Sequence, residues 1–299
     1  MQSIYSYKLS KTDNLAEAEK FMIKHFEEVA DLKIAILSLL MHIVDHAAEF
    51  YDQGKKKHLP SFDDLNPNLR FIDNKFVNLK LKDKKLITQF NKNSDLWLDN
   101  DHDVITKLFI ELYNSNLYSK YLLSDDYSIN VDKKFFIDLL NEKILNHKLV
   151  HHIFAEKSIY WLDDLPFVTA IILGEIKNDI SLFHTGVFKD STDKKFTLTL
   201  FRETISNDHK YDKIIMQFAD NWDLDRIAMM DQILLKMAFT EILIMKDLPV
   251  KVSMNEYIEI AKYYSTAKSK LFINGLLDNF VKSYGSQGKI NKVGRGLIQ

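Results

Sequence analysis

The sequence predicts an all-α protein, and three observations carry that expectation. Glycine and proline are scarce, at 8 and 4 of 299 residues, where average usage is about 7% and 5%. Sheet proteins need turn glycines, so helices joined by short connections are expected. Hydrophobic residues make up 46% of the chain, enough for a sizeable core, and they recur at helical rather than alternating intervals. Residues 221–285 are punctuated as successive helices, with the stops and caps that helices use.

Composition also bounds function. Cysteine is absent, which leaves no disulfide framework and no thiolate metal site and fits a reducing cytoplasm. No apolar run reaches the ~18 residues of a membrane span. The start Met-Gln-Ser-Ile-Tyr-Ser-Tyr lacks the basic-then-apolar order of a signal peptide. A net charge of −2 argues against a broad nucleic-acid-binding surface, so an RNA site has to be a local patch.

Taken in order, residues 1–130 read as an N-terminal helical region with a lysine-rich insert. Leu15 to about Phe50 forms one or two helices, with apolar residues at Phe21, Phe26, Ile34, Leu37, Met41 and Val44. Gly54-Lys-Lys-Lys-His58, with Pro60 and Pro67 after it, breaks the pattern as a solvated basic connector. Residues 69–92 read as a helix with a solvated lysine face (Lys75, Lys80, Lys82, Lys84, Lys85, Lys92), and 103–123 as one amphipathic helix. Residues 131–190 form a helical hairpin resembling 192–237. Asp132-Lys-Lys-Phe135 matches Asp193-Lys-Lys-Phe196, and Leu139, Trp161, Asp164 and Ile172 match Leu200, Trp222, Asp225 and Ile233, each pair 61 apart (222 − 161). This is either a duplicated hairpin or chance similarity between helices under one packing demand; one repeat is not a solenoid. Residues 191–285 form a C-terminal bundle. Residues 286–299 carry Lys289, Lys292 and Arg295 among glycines and are expected to be a flexible basic tail, too poor in apolar residues to fold alone.

The bundle's last three helices are the most explicit part of the chain. The first carries Ile227, Met230, Leu234, Met237, Ala238 and Ile242 at helical spacing and must stop before Pro249. Ser253 and Glu256 suggest a capping box opening the second, which buries Tyr257, Ile258, Ala261 and Tyr264. The third repeats apolar pairs at Phe272/Ile273, Leu276/Leu277 and Phe280/Val281 and should stop at Gly285. Gly275, in its middle, costs roughly 1 kcal/mol against alanine, which a close helix or ligand approach would explain.

Asp-Leu-Pro-Val-Lys-Val-Ser-Met-Asn-Glu (247–256), followed by Phe-Ile-Asn-Gly-Leu-Leu-Asp (272–278), resembles the C-terminal half of the NusB transcription antitermination family. Asn-Trp-Asp-Leu-Asp-Arg (221–226) is similar to the lead-in to that family's fourth helix, and residues 1–10 to the end of its first. The resemblance covers about the last third of the chain. It implies an all-helical, non-enzymatic factor that binds boxA-type single-stranded RNA together with NusE, a small-subunit ribosomal protein, on the transcribing RNA polymerase. The family's arginine-rich turn has no counterpart after Met1, and the natural chain is expected to begin upstream of it with a basic turn.

The RNA case among the residues rests on the turn Tyr264-Ser-Thr-Ala-Lys-Ser-Lys-Leu-Phe272. A helix N-terminus offers N–H groups and a positive dipole end to phosphate, Lys268 and Lys270 add charge, and aromatic rings stack on unpaired bases. The competing reading makes Ser265 or Thr266 a cap and Phe272 core. Candidate RNA-binding residues are Tyr5, Tyr264, Lys268, Lys270, Phe272 and Asn274. The resemblance places Tyr5 and Asp231 at the NusE-facing surface, with Asp231 read as an exposed carboxylate. His42/His46 and His147/His151 have i,i+4 spacing that can hold zinc, but neither pair sits in a metalloprotease motif and both are read as ordinary histidines. No glycine-rich nucleotide loop occurs, so no cofactor, metal or catalytic constellation is expected. Two rivals stay open: a protein-only helical scaffold, and the NusB-like module of RNA cytosine methyltransferases, which carry it N-terminally with a Rossmann domain after it.

Overall fold

The computed structural model describes all residues except 11–13, 93–94, 99–101, 184–187, 189, 220–222 and 298–299. The fold is all-α, and no strand occurs among the described residues. In chain order the helices are α1 (Gln2–Ser10), α2 (Leu15–Lys55), α3 (Phe62–Leu65), α4 (Lys84–Lys92), α5 (Asp95–Leu98), α6 (His102–Tyr113), α7 (Asn116–Leu123), α8 (Ile129–Leu139), α9 (Lys148–Lys157), α10 (Trp161–Lys177), α11 (Ser191–Ser206), α12 (Asp208–Phe218), α13 (Met229–Ile244), α14 (Val250–Tyr264) and α15 (Ala267–Ser286). They divide into two compact units, Met1–Ile23 with Phe188–Gln299, and Lys24–Val187. Sequence pattern follows the chain from end to end and could not show that residues 1–23 pack with the C-terminal part. Among the described residues no helix is long and apolar enough to cross a membrane.

The unit Lys24–Val187 has an aromatic core. Phe71, Phe76, Phe109, Phe136 and Phe154 are fully buried, and the Trp97 indole N–H donates to the Ala35 carbonyl and to Ser38 Oγ, both at 3.1 Å. Tyr121 donates to Asp132 at 2.8 Å, so this buried carboxylate has a partner. Two expectations fail here. Residues 69–92 are not one helix but a 3-10 turn at Leu69–Phe71, a π turn at Val77–Leu81 and then α4. Asn74 interrupts them, its side chain accepting from the Val77 N–H and donating to the Tyr121 hydroxyl. Residues 103–123 are split into α6 and α7, because Ser115 caps a new start by accepting from the Tyr118 N–H.

In the other unit α13 is the axle. It packs against α1, α11, α12, α14 and α15, and every residue from Asp231 to Ile242 is buried except the half-buried Gln232, the condition of a helix apolar on all sides. Phe239 meets Phe280 of α15 at 4.3 Å, and Phe280 in turn meets Tyr284 at 4.5 Å. Thr204 of α11 donates to Thr240 at 3.0 Å. Lys236, 1% exposed, is held by Asp208 (2.7 Å) and Asp212 (2.6 Å) of α12, while Lys8 of α1 reaches Asp208 at 2.7 Å. Those two carboxylates and His209 have metal-ligand spacing, but the Lys236 ammonium already sits on both carboxylates.

Three further expectations are corrected. The Ser253–Glu256 capping box does not form: α14 starts at Val250 after Pro249, and Ser253 is a buried mid-helix residue whose hydroxyl turns back to the Pro249 carbonyl. Proline fixes the entry φ one residue before the helix, and α14 begins there with no side-chain cap. α15 runs past Gly285 to Ser286, and the glycine that turns left-handed just after it is Gly288, at φ +66°. The tail does not behave as a free segment. Val293 N–H donates to the Lys246 carbonyl at 3.1 Å, and Lys292 Nζ caps the end of α13 through the carbonyls of Glu241 (3.3 Å) and Met245 (2.8 Å). A Cβ on Gly296 would lie 2.1 Å from the Lys246 oxygen, so only glycine lets this strap lie so close. Main-chain and ammonium contacts dock it where apolar content could not.

Candidate nucleic-acid interface

The candidate site is the junction of α14 and α15. α14 ends in Tyr264, 38% exposed rather than buried as its spacing suggested. Ser265 then turns extended, and Thr266 opens α15, its hydroxyl accepting from the Ser269 N–H at 3.1 Å. Of the two proposed caps, Thr266 is the one used. Ser265 instead donates its hydroxyl to the Asp231 carboxylate in the first turn of α13. The turn is thereby tied to the central helix.

Asp231 is consequently not an exposed charge. It is 4% exposed, because its carboxylate turns inward to accept from Ser265 while Met229 beside it stays exposed. Helical spacing alone cannot tell such a residue from a surface acid. Further along α13, the Glu241 carboxylate likewise accepts from Tyr257 at 2.9 Å, and burial, with that carboxylate beside it, pushes the Tyr257 hydroxyl well above its ordinary pKa.

The turn is electrostatically unusual. The first turn of α15 contains no acidic residue, and it carries Lys268, exposed, and Lys270, half-buried. Cations near a helix N-terminus oppose the macrodipole, where anions are favoured by roughly 0.3–1 kcal/mol each. A phosphate there would relieve that opposition while meeting lysines and dipole together. Phe272 and Asn274 follow, both half-buried, so Phe272 belongs partly to the core and partly to the surface. Leu271 is 72% exposed, and Gly275, one turn on, has nothing within 4 Å of where a Cβ would stand. No close approach among the described residues accounts for that glycine. Tyr5 is placed by a different element, α1, and is 36% exposed. Asn221 and Trp222 lie outside the described residues.

Sequence comparisons fall on this same part of the chain. The model of the NusB family matches residues 172–282. A transcription antitermination protein NusB from Salinibacter ruber is 47% identical over 118 residues, covering 40% of this chain and 74% of that relative. The chain belongs to the NusB family. A NusB protein from Chloroherpeton thalassium is 44% identical over 112 residues, 38% of this chain and 53% of the relative. One from Alkaliphilus oremlandii is 40% identical over 92 residues, 31% of this chain and 67% of the relative. No solved structure matches the chain. The NusB match includes the whole of α11–α14 and most of α15, whereas residues 24–171 lie outside it.

Proposed function

We propose that this chain is a non-enzymatic, RNA-binding transcription antitermination factor that holds boxA-type single-stranded RNA together with NusE beside the transcribing polymerase. The observation that carries the reading is the Thr266-capped start of α15, where Lys268 and Lys270 crowd a helix N-terminus inside the NusB-matched region. Phosphates would sit on the free N–H groups and the two lysines; Tyr264 and Phe272 would offer ring faces to unpaired bases. NusE would bind through the α1–α13 side that presents Tyr5.

Filter binding of boxA RNA, with and without NusE, across a salt series tests it. Each lysine–phosphate contact to a single strand adds about −0.7 to the slope of log K against log salt, so Lys268→Ala with Lys270→Ala should flatten the slope by about 1.4. Phe272→Ala should cost about 1–3 kcal/mol of binding if the ring stacks on a base, with a melting curve run alongside because the ring is half core. Weak binding, unmoved by the lysine pair and by NusE, would instead leave a protein-only scaffold.

A further inference from the structure

The unit Lys24–Val187, which the family match enters only from residue 172 onward, repeats part of the other unit. Residues 129–144 (α8 and its π continuation), α9 and α10 follow one another as α11, α12 and α13 do; an offset of 61 brings 129–144 onto 190–205 and 148–157 onto 209–218, and sets α13 on 168–183, which overlaps α10 from 168 to its end at Lys177. In each triplet the third helix packs against the other two. The buried charge also recurs: Lys236 of α13 corresponds to Glu175 of α10 (236 − 61), which is held by Lys33 of α2 at 2.7 Å. The agreement is not uniform, since Asp132 and Lys133 are buried and Asp193 and Lys194 are exposed. One difference matters more. α13 is covered by α14, which its Asp231 and Glu241 face through Ser265 and Tyr257. Their counterparts 61 residues earlier are Ala170 and Ile180, both exposed, and among the described residues no helix follows α10 in its unit.

The uncovered face is built as a seam. Around Ala170, residues 163, 166, 167, 173, 174 and 177 stand at three, four and seven positions on either side, all on one face of a helix. They are Asp163, Pro166, Phe167, Leu173, Gly174 and Lys177, exposed or half-exposed, with Phe167 60% exposed. We infer that this face docks a second copy of the chain, the two α10 helices pairing antiparallel about Ala170. The charges select that occupant. Asp163 and Lys177 are each seven residues from Ala170, so two-fold antiparallel pairing sets each Asp163 opposite the other copy's lysine, twice per dimer. Phe167 then meets Leu173, and the small Ala170 and Gly174 let the helix axes approach. A parallel pair would set like charges against each other.

A 17-residue helix is about 25 Å long, so this seam falls at the small end of specific interfaces and predicts a reversible dimer, with Kd on the order of 10–100 μM. Sedimentation of the full chain from about 1 to about 300 μM should pass from monomer to dimer. Phe167→Lys should abolish the dimer. Asp163→Lys and Lys177→Asp should each weaken it by about tenfold or more, and the double exchange should return it to within about threefold of the original. These side chains are exposed, and circular dichroism melts confirm that each variant folds; if Phe167→Lys does not, the charge exchange decides alone. A chain monomeric throughout, or a dimer indifferent to these changes, or a double exchange no stronger than the singles, overturns the inference.

Discussion

Replacing Lys236 with methionine is expected to be the most destabilising single polar change in the NusB-matched unit, by about 3 kcal/mol, or roughly 10 °C in melting temperature. Lys236 is 1% exposed and binds Asp208 at 2.7 Å and Asp212 at 2.6 Å. Methionine keeps the volume but strands two carboxylates on α12, leaving Asp208 with Lys8 at 2.7 Å and Asp212, among the described residues, with only the exposed His209 at 3.9 Å. Removing one member of a buried pair costs more than the pair ever contributed, because the remaining charge stays desolvated. The pH dependence follows from the shifts. Burial would raise the Asp208 carboxyl, but the hydrogen bonds from Lys236 and Lys8 outweigh it and hold it below 3.8. Burial would lower Lys236, but the two carboxylates outweigh it and hold it above 10.5. The lowered acid contributes stability above its unfolded pKa, lost as pH falls through its folded one. The raised amine contributes stability below its unfolded pKa, lost as pH rises through its folded one. The difference between wild type and Lys236→Met should therefore be flat from about pH 5 to 9 and shrink below pH 3.8. Thermal melts of both proteins across that range check it; equal melting temperatures at pH 7 would mean that the ion network contributes nothing.

Much of this architecture was legible in the sequence, for reasons that particular residues show. α13 could be read because Leu234, Ala238 and Ile242 are buried at the spacing that defines a helix, whereas Ile227, which that spacing also assigned to the helix, lies before it in extended backbone. α15 could be read from Ile273, Leu276, Leu277 and Phe280, all buried. What spacing does not encode is which polar groups find partners across space. Ser253 and Glu256 carry the residue types of a capping box, yet Pro249 had already started the helix four residues earlier. Lys292 looked like one more charge in a loose tail, and its capping role emerges only when the end of α13 stands beside it. The turn at Tyr264–Phe272 was visible as residue types; its tether to α13 through Asp231 was not, because 34 residues separate Ser265 from its acceptor.

That tether makes Asp231 the second sensitive position, and burial changes what its substitution should do. At 4% exposure it cannot act as a rim charge that only speeds association. Asp231→Ala removes the acceptor of the Ser265 hydroxyl and should cost about 1–3 kcal/mol of stability. It should also loosen the turn that carries Lys268 and Lys270, so RNA binding would have to order that turn again, at about 1–2 kcal/mol for each residue so fixed, a loss of about tenfold or more in affinity. Asp231→Asn separates the two possible roles. The amide oxygen can still accept from Ser265, so stability and RNA affinity should stay near wild type, while any direct use of the negative charge by NusE is lost. Asp231→Lys should be worst, since it buries a longer, charged side chain where a single serine hydroxyl replaces water as its partner. Melting curves, RNA titrations and NusE pull-downs on the three variants give separate readings. If Asp231→Ala matches wild type in melting and in RNA affinity, the turn is held by its own cap and the tether is incidental. If Asp231→Asn alone loses NusE, the carboxylate reaches that partner despite its burial, which requires Ser265 to release it on binding.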